Sequence, residues 1–439
     1  MTKKIKPKIF SETIFLLLLF VLGFFVYKNI FSSFFFMDDF YFLSISKAND
    51  LGEFFNFFKP IRFIPYRPIS QQLFFFSMQK IFGLKPQPFH LIIFMVHLIN
   101  SWLVYRISFK FLKNSLRAKI FSLIYVVAPL HFVGLYSITG SYVIFGVFFF
   151  LLSFLLWFGF EEKKDIKEKR YLYLLSLIFF ILGIFSSEIV AGLPFLILLV
   201  SKVKDKLKLI FPHFVIILMS VLINNFFAGS PETKAFEFRL TTFPSVFRWY
   251  ILRGLGLPEG VKNGQQLEKN IIYFLFYLLL VLIIWGIFYF YKNKKKSREI
   301  KILAKYIFWV IIAAFPFYFM SNHLNPIYFS VSFIGFLFIL EKILTKKLFF
   351  IYGLVFIILS FFGVRLLLDT HWTVGRSRLS KDWIDKVKKD CFKFNKQGKA
   401  VLLIPDNIKK DELEITLQKD KALQLFCYND KLKTIYQNK

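Results

Sequence analysis

The 439-residue chain is 56% hydrophobic and 21% aromatic, with 65 Phe, and only 19% charged. Soluble domains carry about 25% charge and spread their apolar residues in short periodic runs; here those residues stand in long blocks, which excludes a soluble enzyme, a disordered chain and a collagen-like repeat. The net charge of +31 would fit a nucleic-acid partner, but Lys and Arg fall in short clusters between apolar blocks, so the charge reads as topology and no nucleic-acid partner is expected.

The clusters are Lys3, Lys4, Lys6 and Lys8; Arg106 to Lys119; Lys163 to Arg170; Lys202 to Lys208; Lys292 to Lys296 with Arg298; and Lys342, Lys346 and Lys347. Between them lie blocks near the roughly 20 apolar residues that a spanning helix needs. In chain order these are Ile9–Ile30, Phe89–Phe111, Ile120–Leu135, Ser141–Phe160, Tyr171–Phe185, Ile189–Val200, Leu209–Phe227, Ile271–Tyr291, Tyr306–Met320, Ile327–Leu340 and Leu348–Leu368. The first resembles a signal peptide without a small-residue cleavage site and is read as a retained anchor. Tyr171–Val200 is too long for one helix. Turned into a hairpin at Ser186-Ser187-Glu188, it keeps every basic cluster on one face. The expected fold is therefore an all-α polytopic membrane protein of about eleven spans, N-terminus cytoplasmic and C-terminus extracytoplasmic.

This topology leaves three segments outside: a first loop at 31–88, a second at 229–270 and a C-terminal cap at 369–439, after a transmembrane domain at 1–368. In the cap, Ser380–Phe392 reads as an amphipathic helix, and Ala400–Ile404 and Ala422–Tyr428 as strands, a small α/β domain. It contains both cysteines, Cys391 and Cys427. An external location permits them to pair, while spacing alone leaves two free thiols equally open.

The first loop opens with the adjacent carboxylates Asp38 and Asp39, embedded in aromatics. Desolvation and mutual repulsion would raise their pKa and favour a general base; capping a following interfacial helix is the competing reading. Tyr66-Arg67-Pro68-Ile69-Ser70 comes next, then an amphipathic stretch, Leu73–Phe82, that fits a helix in the interface. In the second span, His90, His97 and Asn100 share one helical face, either lining a wet cavity or holding helices together. His131 follows Pro129 at the end of the third span. Glu188 stands at the outer turn of the hairpin, as a site residue or at headgroup level. Arg239, Arg248 and Arg253 lie in the second loop, where they suit phosphate or snorkel beside Trp249 and Tyr250. No second ligand cluster supports a zinc site, and one Asp pair is a poor Mg²⁺ cage.

In order, the acidic pair, Tyr66-Arg67-Pro68-Ile69-Ser70, Gly83-Leu84-x-Pro86-x-x-Phe89-His90 with Asn100, Pro129-x-His131, Thr139-Gly140, Glu188 with Leu193-Pro194, and Trp383 resemble membrane glycosyltransferases of the GT-C fold, in the protein O-mannosyltransferase-like branch. The resemblance covers roughly the first 200 residues. It implies sugar transfer from a polyprenyl-phosphate donor to a protein, lipid or glycan acceptor at the outer face of the plasma membrane, usually with inversion. It assigns Asp38 as the base with Asp39 beside it, and Arg67, His90, His131 and Glu188 to the substrate site. No cofactor beyond the lipid-linked donor, and no divalent metal, is expected. The pattern departs from the family at Val133, Ser141, Val143 and Ser187, and near Asn325–Tyr328, so donor-phosphate contacts are assigned to Arg239, Arg248 or Arg253. The competing classes are a non-catalytic or transport protein for lipid-linked sugars, and a polymerase or ligase using a lipid-linked oligosaccharide.

Overall fold

The computed structural model of the chain describes residues 6–228, 237–293 and 297–438. From the basic clusters, Lys3, Lys4, Lys294, Lys295 and Lys296 lie outside the described residues, as do 229–236 of the second loop. The chain begins with α1 (Lys6–Tyr27), and the first loop holds α2 (Asp38–Ile45), α3 (Leu51–Phe55) and α4 (Phe74–Phe82). Next come α5 (Pro86–Leu112), α6 (Ser115–Val127), α7 (Phe132–Tyr136), α8 (Tyr142–Glu162), α9 (Ile166–Ile184), α10 (Leu193–Val200) and α11 (Lys206–Leu222). Then α12 (Phe243–Gly254) precedes α13 (Gln266–Asn293), α14 (Ser297–Ala313), α15 (Ser330–Ile343) and α16 (Lys346–Thr370). The C-terminal segment has α17 (Trp372–Gln397), β1 (Lys399–Ile404), α18 (Lys410–Thr416), α19 (Lys421–Phe426) and β2 (Lys433–Asn438).

Among the described residues, 7 helices are long and apolar enough to cross a membrane: those starting at Glu12, Pro86, Thr139, Lys206, Gln266, Pro326 and Lys346. The pair α6–α7, bent by 44°, raises the number to 8. The chain is a multi-pass, helical membrane protein. The other three expected spans are weaker in identifiable ways. α9 carries Lys167, Glu168, Lys169 and Arg170 in its first turns, the Glu188–Val200 segment is a short apolar helix, and α14 has 17 residues.

The bend after α6 follows from Pro129. Its ring disfavours the helical conformation in the preceding residue, and Ala128 is extended at φ −61°, ψ 125°. Carbonyls freed in an apolar bundle need donors. Tyr27 donates its hydroxyl to the Ala128 carbonyl at 2.6 Å, and His97 Nε2 meets the Val126 carbonyl at 2.9 Å. His90 Nδ1 lies 3.0 Å from the Leu135 carbonyl at the end of α7, and Asn100 donates to the Ile144 carbonyl at 2.9 Å. The polar face of α5 thus stitches α6, α7 and α8 together. Large rings fill the bundle, with Trp157 and Trp309 fully buried; a Cβ on Gly335 would stand 2.7 Å from the Trp309 ring, so glycine there permits the close approach of α15 to α14.

Outside the bundle, α4 buries Phe75 and Met78 and exposes Ile81 and Phe82, as an interfacial helix does. The C-terminal segment is a small α/β unit in which β1 and β2 pair in parallel, Lys399 opposite Lys433 through Ile404 opposite Asn438. One expected strand is corrected. Ala422–Tyr428 is not a strand: Lys421–Phe426 is helix α19, and the second strand is Lys433–Asn438. A short apolar run does not distinguish helix from strand, and parallel strands require a crossover that helices usually provide. Cys391 of α17 is disulfide-bonded to Cys427, just beyond α19, with Cα atoms 5.1 Å apart.

Candidate functional site

The acidic pair stands where α1 ends and α2 begins. α2 starts at Asp38 after Met37, whose φ of +52° and ψ of −124° lie outside the regions open to an L-residue without strain. Such strain persists only where the surroundings enforce it. Here Met37 donates its N–H to the Thr416 carbonyl at 2.8 Å, and the Phe34 N–H donates to Ser377 Oγ at 2.7 Å. Phe34 and Phe40 both pack on Phe426. α17, α18 and α19 therefore grip the loop from outside.

The two carboxylates are placed differently. Asp39 is 1% exposed and accepts from the Phe36 N–H at 3.1 Å, the Thr139 N–H at 2.7 Å and the Thr139 hydroxyl. Burial pushes its pKa up to about 7, against the hydrogen bonds from Thr139 and Phe36, which lower it, and with a smaller push from Asp38. Asp38 keeps contact with solvent at the start of α2, yet enough protein surrounds it that desolvation raises its carboxyl above the ordinary range. Neither acts as the helix cap, a position held by Met37 without a side-chain bond. Asp39 is the anchor, and Asp38 is the carboxylate left open to solvent.

The turn that Asp39 holds, Thr139–Ser141, leads directly into Tyr142 and a second cluster. Arg67 lies over the Tyr142 ring, 3.7 Å from its centroid, and forms a forked pair with Glu188: Nε at 2.9 and 3.0 Å from the two oxygens, and a terminal nitrogen at 2.9 Å. The local chain explains the meeting. A π-helical turn at Pro68–Leu73 is fastened to the end of α9 by the Ile69 N–H donating to the Phe185 carbonyl at 3.2 Å and by Ser70 Oγ donating to the Ser186 carbonyl at 2.7 Å. Burial opposes the Arg67 charge, but Glu188 and Tyr142 more than offset it, so its pKa is raised. Tyr142 and Tyr328 share a hydroxyl hydrogen bond of 2.5 Å, and Tyr328 meets His323 Nε2 at 2.8 Å. Burial, and then the charge of Arg67, lower the His323 pKa, against a smaller push upward from Glu188.

The other expected residues are dispersed. His90 is fully buried and committed to the Leu135 carbonyl. His131 is 1% exposed, 3.4 Å from Ser330 Oγ and packed on the rings of His97 and Tyr125. Arg239 is exposed and paired with Glu237 at 2.5 Å, and Arg248 is exposed on α12. Arg253 is turned inward, donating to the Leu257 and Pro258 carbonyls at 2.8 and 3.1 Å, over Trp249 and beside a small recess shared with Glu259 and His371. Asp38, Asp39, Arg67 and Glu188 are thus linked through one turn, while the two histidines and the three loop arginines belong to other places.

Sequence reasoning missed Arg376. Its guanidinium touches Met37 Sδ at 2.8 Å and lies over Trp372, and its buried Nε has no partner among the described residues. It has no carboxylate partner among the described residues, and the residue it touches immediately precedes Asp38. The signal present in the sequence was Trp372-x-x-x-Arg376, an i,i+4 pair on a polar helix directly after the last span. His323 and Tyr328 were missed as well. Among the described residues, no group of three or more His, Cys, Asp or Glu is arranged to hold a metal ion. No family model, no curated protein and no solved structure matches the chain. The fold and site define a multi-pass membrane protein whose polar cluster sits beneath a C-terminal cap at one end of the helix bundle.

Proposed function

We propose that the chain is an integral-membrane glycosyltransferase of the GT-C type, of eleven spans including α9, α10 and α14, with its N-terminus cytoplasmic and its site at the outer face of the plasma membrane. It transfers a sugar from a polyprenyl-phosphate donor to a hydroxyl acceptor. Such a transfer needs a base for the acceptor proton, positive charge for the departing phosphate, and a cavity reached from both lipid and water. Asp38 takes the proton as the acceptor oxygen bonds to the anomeric carbon and the bond from that carbon to the phosphate oxygen breaks. Arg376, on α17 against Met37, and Arg67, in the first loop, receive the phosphate. Asp39 holds Asp38 in place through Thr139 and Phe36.

The observation that carries this reading is the division of labour in the acidic pair: one carboxylate saturated with hydrogen bonds, its neighbour solvent-accessible, partly desolvated and directly after the strained Met37. The test is sugar release from a panel of labelled polyprenyl-phosphate monosaccharides by wild type and Asp38→Asn, with insertion verified. Turnover of one donor, lost in Asp38→Asn at unchanged thermal stability, is expected. Full activity in a correctly inserted Asp38→Asn protein would overturn the assignment. Turnover of an oligosaccharide pyrophosphate instead would make the enzyme a polymerase or ligase, and inactivity toward every donor would favour transport.

A further inference from the structure

The opposite end of the bundle carries the basic clusters, tied to one another by ion pairs. Lys110 bonds Glu162 at 2.6 Å, Arg117 bonds Glu341, and Lys342 bonds Glu299. Between the α5–α6 turn and the α15–α16 turn lies a half-open cavity of about 420 Å³, with Asn114, Arg117, Lys346, Lys347, Phe350 and Ile351 in its wall. A second, of about 280 Å³, adjoins it and shares Arg117 and Lys346.

Charge and polarity are separated across this cavity. Glu341 occupies one edge of the Arg117 guanidinium, whose buried Nε has no partner among the described residues. Lys346 and Lys347 are exposed, and neither has a carboxylate partner among the described residues. They stand in the first turn of the 25-residue helix α16, where Thr345 caps the Leu348 N–H and the helix dipole adds to their positive charge. Below them the wall is apolar and open: Phe350 is 47% and Ile351 43% exposed, on a helix that crosses the membrane. A ligand for this place must be an anion at one end and hydrocarbon at the other.

We propose that the cavity binds the phosphate headgroup of an anionic glycerophospholipid of the leaflet at the basic end, with its acyl chains lying along Phe350 and Ile351. Basic pockets between transmembrane helices hold anionic headgroups in this way. The site is distinct from the Asp38 cluster, and its existence does not depend on the proposed transferase activity.

The test uses the full-length protein, delipidated and titrated with phosphatidylglycerol, and the bound lipid is counted by native mass spectrometry. Phosphatidylcholine and inorganic phosphate serve as parallel arms. One phosphatidylglycerol is expected to bind in preference to phosphatidylcholine, and Lys346→Gln/Lys347→Gln is expected to weaken it about 30-fold, the factor for two basic residues at about 1 kcal/mol each. Lys202→Gln/Lys204→Gln removes the same charge from the exposed α10–α11 turn and is expected to leave that binding event intact. Equal weakening in both variants would reduce the effect to general surface attraction and overturn the site. So would equal affinity for phosphatidylcholine, or competition by millimolar inorganic phosphate alone, which would mark a free-phosphate site. Unchanged thermal stability of both variants in phosphatidylcholine verifies that the substitutions leave the fold intact.

Discussion

The Arg67–Glu188 pair joins partners of unequal burial: the Arg67 side chain is 10% exposed and that of Glu188 40%. Removing the two ends should therefore have unequal consequences. Glu188→Gln leaves a guanidinium stranded in the protein, and breaking a buried pair from one side costs about 3–5 kcal/mol. The Tyr142 ring still faces that guanidinium, and a desolvated cation–π contact returns about 1–2 kcal/mol. The net loss is expected to be about 1–4 kcal/mol, the difference between those two contributions. Arg67→Met instead leaves a carboxylate that water already reaches and fills the space over Tyr142 with an apolar chain, so its loss should stay near 1 kcal/mol, the value of an ordinary hydrogen-bonded contact. The double variant should resemble Arg67→Met, because no buried charge remains. Equilibrium unfolding in mixed detergent micelles, followed by tryptophan fluorescence, measures all three. A Glu188→Gln protein no less stable than Arg67→Met would refute the claim that Arg67 is the desolvated partner.

Three further outcomes follow from the same region. Under the proposed transfer, replacing Asp38 by Asn should abolish turnover of the donor while leaving the unfolding curve unchanged, since that carboxylate accepts no hydrogen bond among the described residues. Asp39 has a folded pKa of about 7, above its ordinary value near 3.8, so its contribution to stability is greatest below about pH 4 and falls as pH rises toward 7. The decline amounts to at most ~4 kcal/mol, and Asp39→Asn should remove this component from a stability–pH profile; an identical profile in the two proteins would contradict it. Reducing the Cys391–Cys427 bond, which closes a loop with a sequence separation of 36, should destabilise the cap by about 4 kcal/mol on the chain-entropy estimate. Hydrogen exchange should show that loss in α17–α19 and, through Thr416 and Phe426, in the Met37–Phe40 segment.

The membrane architecture was legible because lipid imposes a length and polarity rule that acts on contiguous sequence. Where a helix obeys it only in part, as α9 does with four charged residues in its opening turns, sequence and structure count spans differently. The same-face placement of His90, His97 and Asn100 was readable from helical periodicity, but their partners were not. Those partners are carbonyls on other helices: Val126 at the bend before Pro129, Leu135 at the end of α7 and Ile144 in α8. The acidic pair was visible and its asymmetry was not, since the residue that saturates Asp39 is Thr139, far away in the chain. For the same reason Arg376, Tyr328 and His323 carried no local signal strong enough to join them to the first loop.

The C-terminal segment reads as an appended cap by composition, yet its contacts make it part of the site's framework. A backbone with the φ of Met37 relaxes unless it is held on both sides. One side is Asp39, bonded back to Phe36 and across to Thr139; the other is the Thr416 carbonyl, with Ser377 receiving the Phe34 N–H and Phe426 filling the space between Phe34 and Phe40. The bundle supplies Thr139, the first loop supplies Arg67, the C-terminal segment supplies Arg376 and the grip on Met37, and the open carboxylate lies where they meet. Arg376 follows the last span, outside the positive clusters of the opposite end, and stands half-buried, its guanidinium on Met37 Sδ and over the Trp372 ring, against the strained residue beside Asp38.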